Sequence, residues 1–146
     1  MESLCYKIAW AFFKGVIHLI RKFEINGNEW FVKWVSPGNP ILIDRTGSWT
    51  LGVTDPSQNT VFLSEELSGN LLLRVLLHEM THVTLWEYRI LDSIKLYSKP
   101  EYSIEMEELI CNVVADYAQH IFFETYRLLG GKAIFYMPGI IERLVA

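Results

Sequence analysis

The run LLLRVLLHEMTHVTLW, residues 71–86, constrains this chain more than any other feature. On a helix, His78 and His82 lie four apart on one face, one turn above the other, with the carboxylate of Glu79 beside the first. Aliphatics flank the motif on both sides, which marks a buried helix and not a loop. Two imidazoles in that register can hold one zinc ion, which binds imidazole nitrogen at about 2.0–2.1 Å and takes four tetrahedral ligands. In a catalytic site three of these come from protein and the fourth is water, whose pKa the metal lowers to about 7. Glu79 is then placed to take a proton from that water and later pass it to a leaving amine. Three polar groups in so apolar a helix would each need partners if they had no shared task.

A third ligand has to come from elsewhere, and the acidic cluster Glu105, Glu107 and Glu108 opens the next helical stretch at a workable distance along the chain. An acidic first turn also suits the positive end of a helix dipole, which is a sufficient reason for Glu105 and Glu107. A helical wheel places Leu109, Ile110, Val113, Val114, Tyr117 and Ile121 on an apolar arc opposite Glu108, which by itself would send Glu108 to solvent.

At 146 residues, 51% hydrophobic and 21% charged, the chain is read as one globular domain able to bury a core without disulfides. The net charge of −4 gives no general pull toward nucleic acid, so none is expected as a partner. Cys5 and Cys111 are too far apart for a Cys-x-x-Cys site, which points to a reducing, cytoplasmic setting. Lys7 and Lys14 interrupt the N-terminal apolar run, so neither a signal peptide nor a membrane span is expected.

The fold class expected is α+β. A first helix over about Glu2–Phe23, with a basic stripe of Lys7, Lys14, His18 and Arg21, is ended by Asn26-Gly27-Asn28. EWFVKWV, PILID, WTLGV and TVFLS then form a small, mainly antiparallel sheet of three or four strands, the last two joined as a hairpin through Asp55–Asn59. The motif helix starts at Ser64 or Ser68 and runs to roughly Tyr88 or beyond. A further helix starts at the capping box Ser98–Glu101 or at Ser103 and stops at Gly130-Gly131, and the apolar tail with Pro138 docks on the body. No repeat divides the chain.

With these residues in view, EELICNVVADYAQ resembles the second ligand helix of the gluzincin metallopeptidases, in which a zinc-binding Glu is followed four residues later by an Asp that steadies a histidine. The resemblance implies Glu108 as third ligand ahead of Glu107 or Glu105, and Asn112 as the outer partner, with an amide oxygen in place of a carboxylate. The order helix, small sheet, HExxH helix and Glu helix resembles the minimal zincin fold of small bacterial and phage metallopeptidases of the ImmA/IrrE type, over about residues 25–125. It implies a zinc peptidase acting on a peptide or protein substrate such as a regulatory protein, with TVFLS as an edge strand that takes extended peptide. An edge strand shielded by the tail is the plainer account of TVFLS. No third histidine follows His82 in the metzincin pattern, since position 88 is Tyr. Tyr88, Tyr102, Tyr117 and His120 are indistinguishable as oxyanion donors, Tyr117 reads as core, and His18 and His120 read as surface groups. Cys111 reads as small core filling. The alternative to an enzyme is a catalytically degenerate domain of the same fold that binds a partner protein.

Overall fold

The computed structural model describes residues 21–129, an α+β arrangement of a four-stranded mixed sheet and three helices. Strands β1 (Lys22–Ile25), β2 (Asn28–Val35), β3 (Gly52–Asp55) and β4 (Thr60–Ser64) lie in the order β1-β2-β4-β3. Helix α1 (Gly69–Glu87) carries the motif, α2 (Ile90–Tyr97) is short, and α3 (Ser103–Leu129) packs back along α1. Among the described residues no helix is long and apolar enough to cross a membrane.

The hairpin β1–β2 corrects the expected first helix at its end. Lys22 and Phe23 are strand residues, and Asn26 and Gly27 take φ of 53° and 79° between them. Positive φ at both central positions is the geometry of a tight hairpin turn, for which Asn-Gly is the favoured pair. The rest of that helix, with Lys7, Lys14 and His18 of its basic stripe and Cys5, falls on residues 1–20 and lies outside the described residues, as do Gly130-Gly131 and the tail; Arg21 is described, and its carbonyl accepts from the Val32 amide.

β3 and β4 form the expected antiparallel hairpin, with Asp55 accepting from the Ser57 amide and hydroxyl and from the Gln58 amide to shape the turn. β4, however, pairs in parallel with β2, so the sheet is mixed. This pairing puts TVFLS inside the sheet, with all five residues buried, and leaves β3 as one edge and β1 as the other. The stretch at PILID is no strand: Pro40–Leu42 is a 3-10 turn capped by the Asn39 side chain, and Ile43 then bridges to Trp49.

α1 presents Leu72, Val75, Leu76 and Val83 to a core built on Trp30, Val61, Leu63 and Leu67. Ser68 stands at its N-cap in extended conformation, without a side-chain hydrogen bond. Its C-terminal end is tied to the first hairpin: Trp30 Nε1 donates to Glu87 Oε1 at 2.7 Å, and Asn28 and Asn26 donate to the Glu87 carboxylate and carbonyl. Arg89 in the left-handed region, φ 56°, separates α1 from α2. Ser98 closes α2 by donating to the Ile94 carbonyl, and α3 begins at Ser103 after a 3-10 turn at Pro100–Tyr102.

α3 turns its face opposite to the apolar arc. Glu107, Cys111 and Ala115 are the buried residues of this helix, and Arg74 on α1 pairs with Asp116 at 2.6 Å. Leu109, Val113, Tyr117 and Ile121 are each about half exposed or more. Tyr117 is therefore not core.

Candidate metal centre

Two adjacent stripes of α1 divide the motif. Glu79 falls in register with Leu72, Val75, Leu76 and Val83, so it faces the sheet, while His78 and His82 share the stripe of Arg74 and face α3. The antiparallel packing of α1 and α3 brings the first turns of α3 to the imidazoles. His78 Nε2 and His82 Nε2 lie 3.1 Å apart, Glu108 Oε2 is 3.3 Å from His78 Nε2, and Glu108 Oε1 is 3.6 Å from His82 Nε2. A tetrahedral ion with bonds of about 2.0–2.1 Å spaces its ligand atoms by about 3.3–3.4 Å. The two nitrogens, and the carboxylate with one oxygen toward each, thus stand near the spacing such an ion requires.

Glu107 completes the arrangement from behind. Its Oε1 is 2.7 Å from His82 Nδ1, which fixes the ring proton on Nδ1 and leaves the Nε2 lone pair facing His78 and Glu108. The gluzincin resemblance implies Asn112 for that role. Asn112 lines the same cleft but makes no hydrogen bond to either imidazole, and Glu105 is exposed. A helix moves its side chains by about 100° per residue, so the neighbour of the ligand reaches the ring's far nitrogen as well as the residue one turn on.

Electrostatics follow from these contacts. The hydrogen bond with Glu108, against burial, raises the pKa of His78 above its ordinary value, and the same bond lowers Glu108. Burial pushes Glu107 up, but bonds from His82 and Arg45 outweigh it and leave the carboxyl below its usual range. Glu79 goes the other way, since burial raises it and the Thr54 hydroxyl, donating to Oε2 at 2.7 Å, only partly offsets that.

Gly52 is what allows β3 to lie this close. A Cβ there would stand 2.8 Å from Val75 Cγ1, 2.9 Å from Glu79 Cγ and 3.1 Å from Glu79 Oε1. Gly52→Ala is therefore expected to lower stability by about 1–3 kcal/mol, the usual cost of an overpacked methyl, and to displace Glu79. Thermal unfolding measures the first, and a structure of the variant shows the second; an unchanged melting temperature would contradict it.

The centre opens into a cleft of about 570 Å³ between β3, α1 and the start of α3. Of the proposed oxyanion donors, Tyr88, Tyr102, Tyr117 and His120 all fail to line it, whereas Arg45, Arg74 and Lys95 do. Arg45, Thr54 and Gly52 were missed by sequence reasoning, because nothing local marks a strand or turn residue that meets a helix across the fold.

Cys111 competes with Glu108 for the third place. Its Sγ and one nitrogen of each imidazole lie within 4.8 Å of one another. Burial, with the charges of Glu108, Glu107 and Glu79, drives its thiol well above the ordinary range, so it keeps its proton in the absence of a cation. Glu108 is held below its usual carboxylate range and has oxygens 3.3 Å and 3.6 Å from the two nitrogens, and a donor set of two imidazoles and a carboxylate fits a divalent ion such as zinc. Comparison with protein-family models, curated proteins and solved structures finds no match, so the centre is read from its own geometry.

Proposed function

We propose that this chain is a zinc-dependent peptidase of zincin-like fold, with His78, His82 and Glu108 holding the ion and Glu79 as general base. The observation that carries this reading is the close approach of the two Nε2 atoms, 3.1 Å apart, to the two Glu108 oxygens, at 3.3 and 3.6 Å, with the buried Glu79 alongside. A divalent ion held there supplies Lewis acidity and makes a coordinated water far more acidic than bulk water.

The protein's own groups supply the rest. Glu79 accepts the proton of the attacking water and returns it to the departing amine; the raised proton affinity conferred by burial suits a group that must do both near neutral pH. Thr54 holds the carboxylate at the cleft wall. Glu107 keeps the His82 lone pair on the side of the ion. β3 pairs on one side only, with β4, and lines the cleft next to Glu79, so an extended peptide added to its open side runs past the centre. That moves the peptide-binding role from TVFLS to Gly52–Asp55. Targets such as regulatory proteins remain what the zincin resemblance implies.

Cys111 favours a second reading. If its sulfur joined the two imidazoles and Glu108, four protein ligands would close the site, and the ion would be structural in a domain that binds a partner protein.

Metal analysis tests the proposal: about one equivalent of zinc is expected in the purified chain, with release of peptides from an unstructured protein such as casein. Affinity should also fall in acid. Because Glu108 raises His78 above its ordinary value near 6.5, protons compete for this ligand already above that pH, and weakening should be under way before an isolated imidazole would show it. Competition titrations between about pH 5.5 and pH 7.5 measure this, and a flat profile would show that His78 does not bind the ion.

A further inference from the structure

Arg45 belongs to neither ligand helix, yet it reaches the centre from a rigid mount. The turn Asp44–Ser48 is tied by the Asp44 carboxylate, whose Oδ1 accepts from the Thr46 amide at 2.8 Å, the Thr46 hydroxyl at 2.6 Å and the Ser48 amide at 3.0 Å. The Asp44 amide also donates to the Ser48 carbonyl, and the Ile43–Trp49 bridge closes the base. From this turn Arg45 Nη2 donates to Glu107 Oε2 at 2.9 Å and lies 3.3 Å from Glu108 Oε1.

These contacts form an unbroken path. The guanidinium holds one oxygen of Glu107, the other oxygen holds His82 Nδ1, and His82 Nε2 faces His78 and Glu108. The same guanidinium nitrogen steadies Glu108 itself. We infer that Arg45 is the positioning residue of the metal centre, orienting His82 through Glu107 and Glu108 directly. This rests on the reading that His78, His82 and Glu108 bind a metal.

Two effects of removing Arg45 carry opposite signs. Loss of a positive charge beside the carboxylates favours a cation, whereas loss of the outer hydrogen bonds frees the Glu107 and Glu108 rotamers. Outer partners of metal ligands are worth about 10- to 100-fold in affinity, and Arg45 is half exposed, so its bare charge is screened by water. Positioning wins.

The test is zinc affinity by competition with a chromophoric chelator, on the full chain. Arg45→Met is expected to weaken binding by about 10- to 100-fold. In a Glu107→Gln background the same change should cost less than it does alone, because only the direct contact with Glu108 is left to lose. Arg45→Lys should recover only part of the loss, since the lysine side chain is shorter than the reach to Nη2 and its ammonium is more strongly hydrated. Asp44→Ala, which loosens the mount while keeping the guanidinium, should weaken binding by less than Arg45→Met and serves if the latter fails to fold. Binding by Arg45→Met as tight as wild type, a loss undiminished beside Glu107→Gln, or a fully restored lysine variant would each overturn the inference. Wild-type protein that takes up no zinc would instead overturn the metal reading beneath it.

Discussion

Glu79→Gln is expected to keep its zinc and lose peptide hydrolysis by about 100- to 10,000-fold, the range a general base contributes. The amide is nearly isosteric with the carboxylate and cannot take up a proton. It also leaves the ligand set untouched, since the nearest partner of Glu79 is the Thr54 hydroxyl and not an imidazole. Stability should hold or rise. Glu79 is 6% exposed and its pKa is raised in the fold, so above the ordinary carboxylate range the ionised form costs folding free energy, and that cost grows as pH rises through the folded value. An uncharged side chain avoids it. Thermal unfolding and zinc content, measured with hydrolysis of the same protein preparation, separate this from simple damage: a variant that loses its metal or melts early would show that Glu79 is structural. Full hydrolysis by the variant would exclude it as the base.

Glu108 and Cys111 give the second large effect. Glu108→Ala is expected to weaken zinc binding by more than about 100-fold, beyond what loss of an outer partner costs, because it removes a ligand. Cys111→Ala should leave affinity within about 3-fold, its effect falling on the α1–α3 packing, where this fully buried side chain leaves a small cavity. Cobalt substitution reports the donor set by a route other than affinity, since a thiolate ligand adds an intense near-ultraviolet charge-transfer band. If that band is present and vanishes in Cys111→Ala while Glu108→Ala still weakens binding, four side chains close the site and the protein-binding reading takes over from the peptidase.

The motif helix was legible because its evidence is local: aliphatics at helical spacing around His78 and His82, and Ser68 where the chain is still extended. The β3–β4 hairpin was legible through its turn residues for the same reason. Partner choice was not. Nothing in TVFLS states that it pairs in parallel with residues 31–35, and that single pairing decides whether the strand is an edge or an interior one. Asn26-Gly27 was a hairpin signal read as a helix stop, since the apolar run before it was extended across Lys22 and Phe23. On α3 the apolar arc misdirected the wheel: Leu109, Val113 and Tyr117 stay exposed, and the buried stripe is the one with Glu107 and Cys111. Family spacing placed Glu108 at the imidazoles where hydrophobic periodicity alone would have turned it away. It missed the outer partner, which came from Glu107 one position earlier and not from Asn112.

The three proposed ligands and Glu107 all sit on α1 and α3, whereas the proposed base is seated by Thr54 on β3, at an edge of the sheet. Both links, His82–Glu107 and Thr54–Glu79, span 25 residues, so what separates them is place: packed helices carry the first, and a strand paired on one side only carries Thr54. Parts of a fold that differ in local packing open separately. With the proposed roles, metal loading and turnover are therefore separable. A lesion in the sheet can leave a fully charged but silent protein, and metal content by itself is a poor gauge of competence.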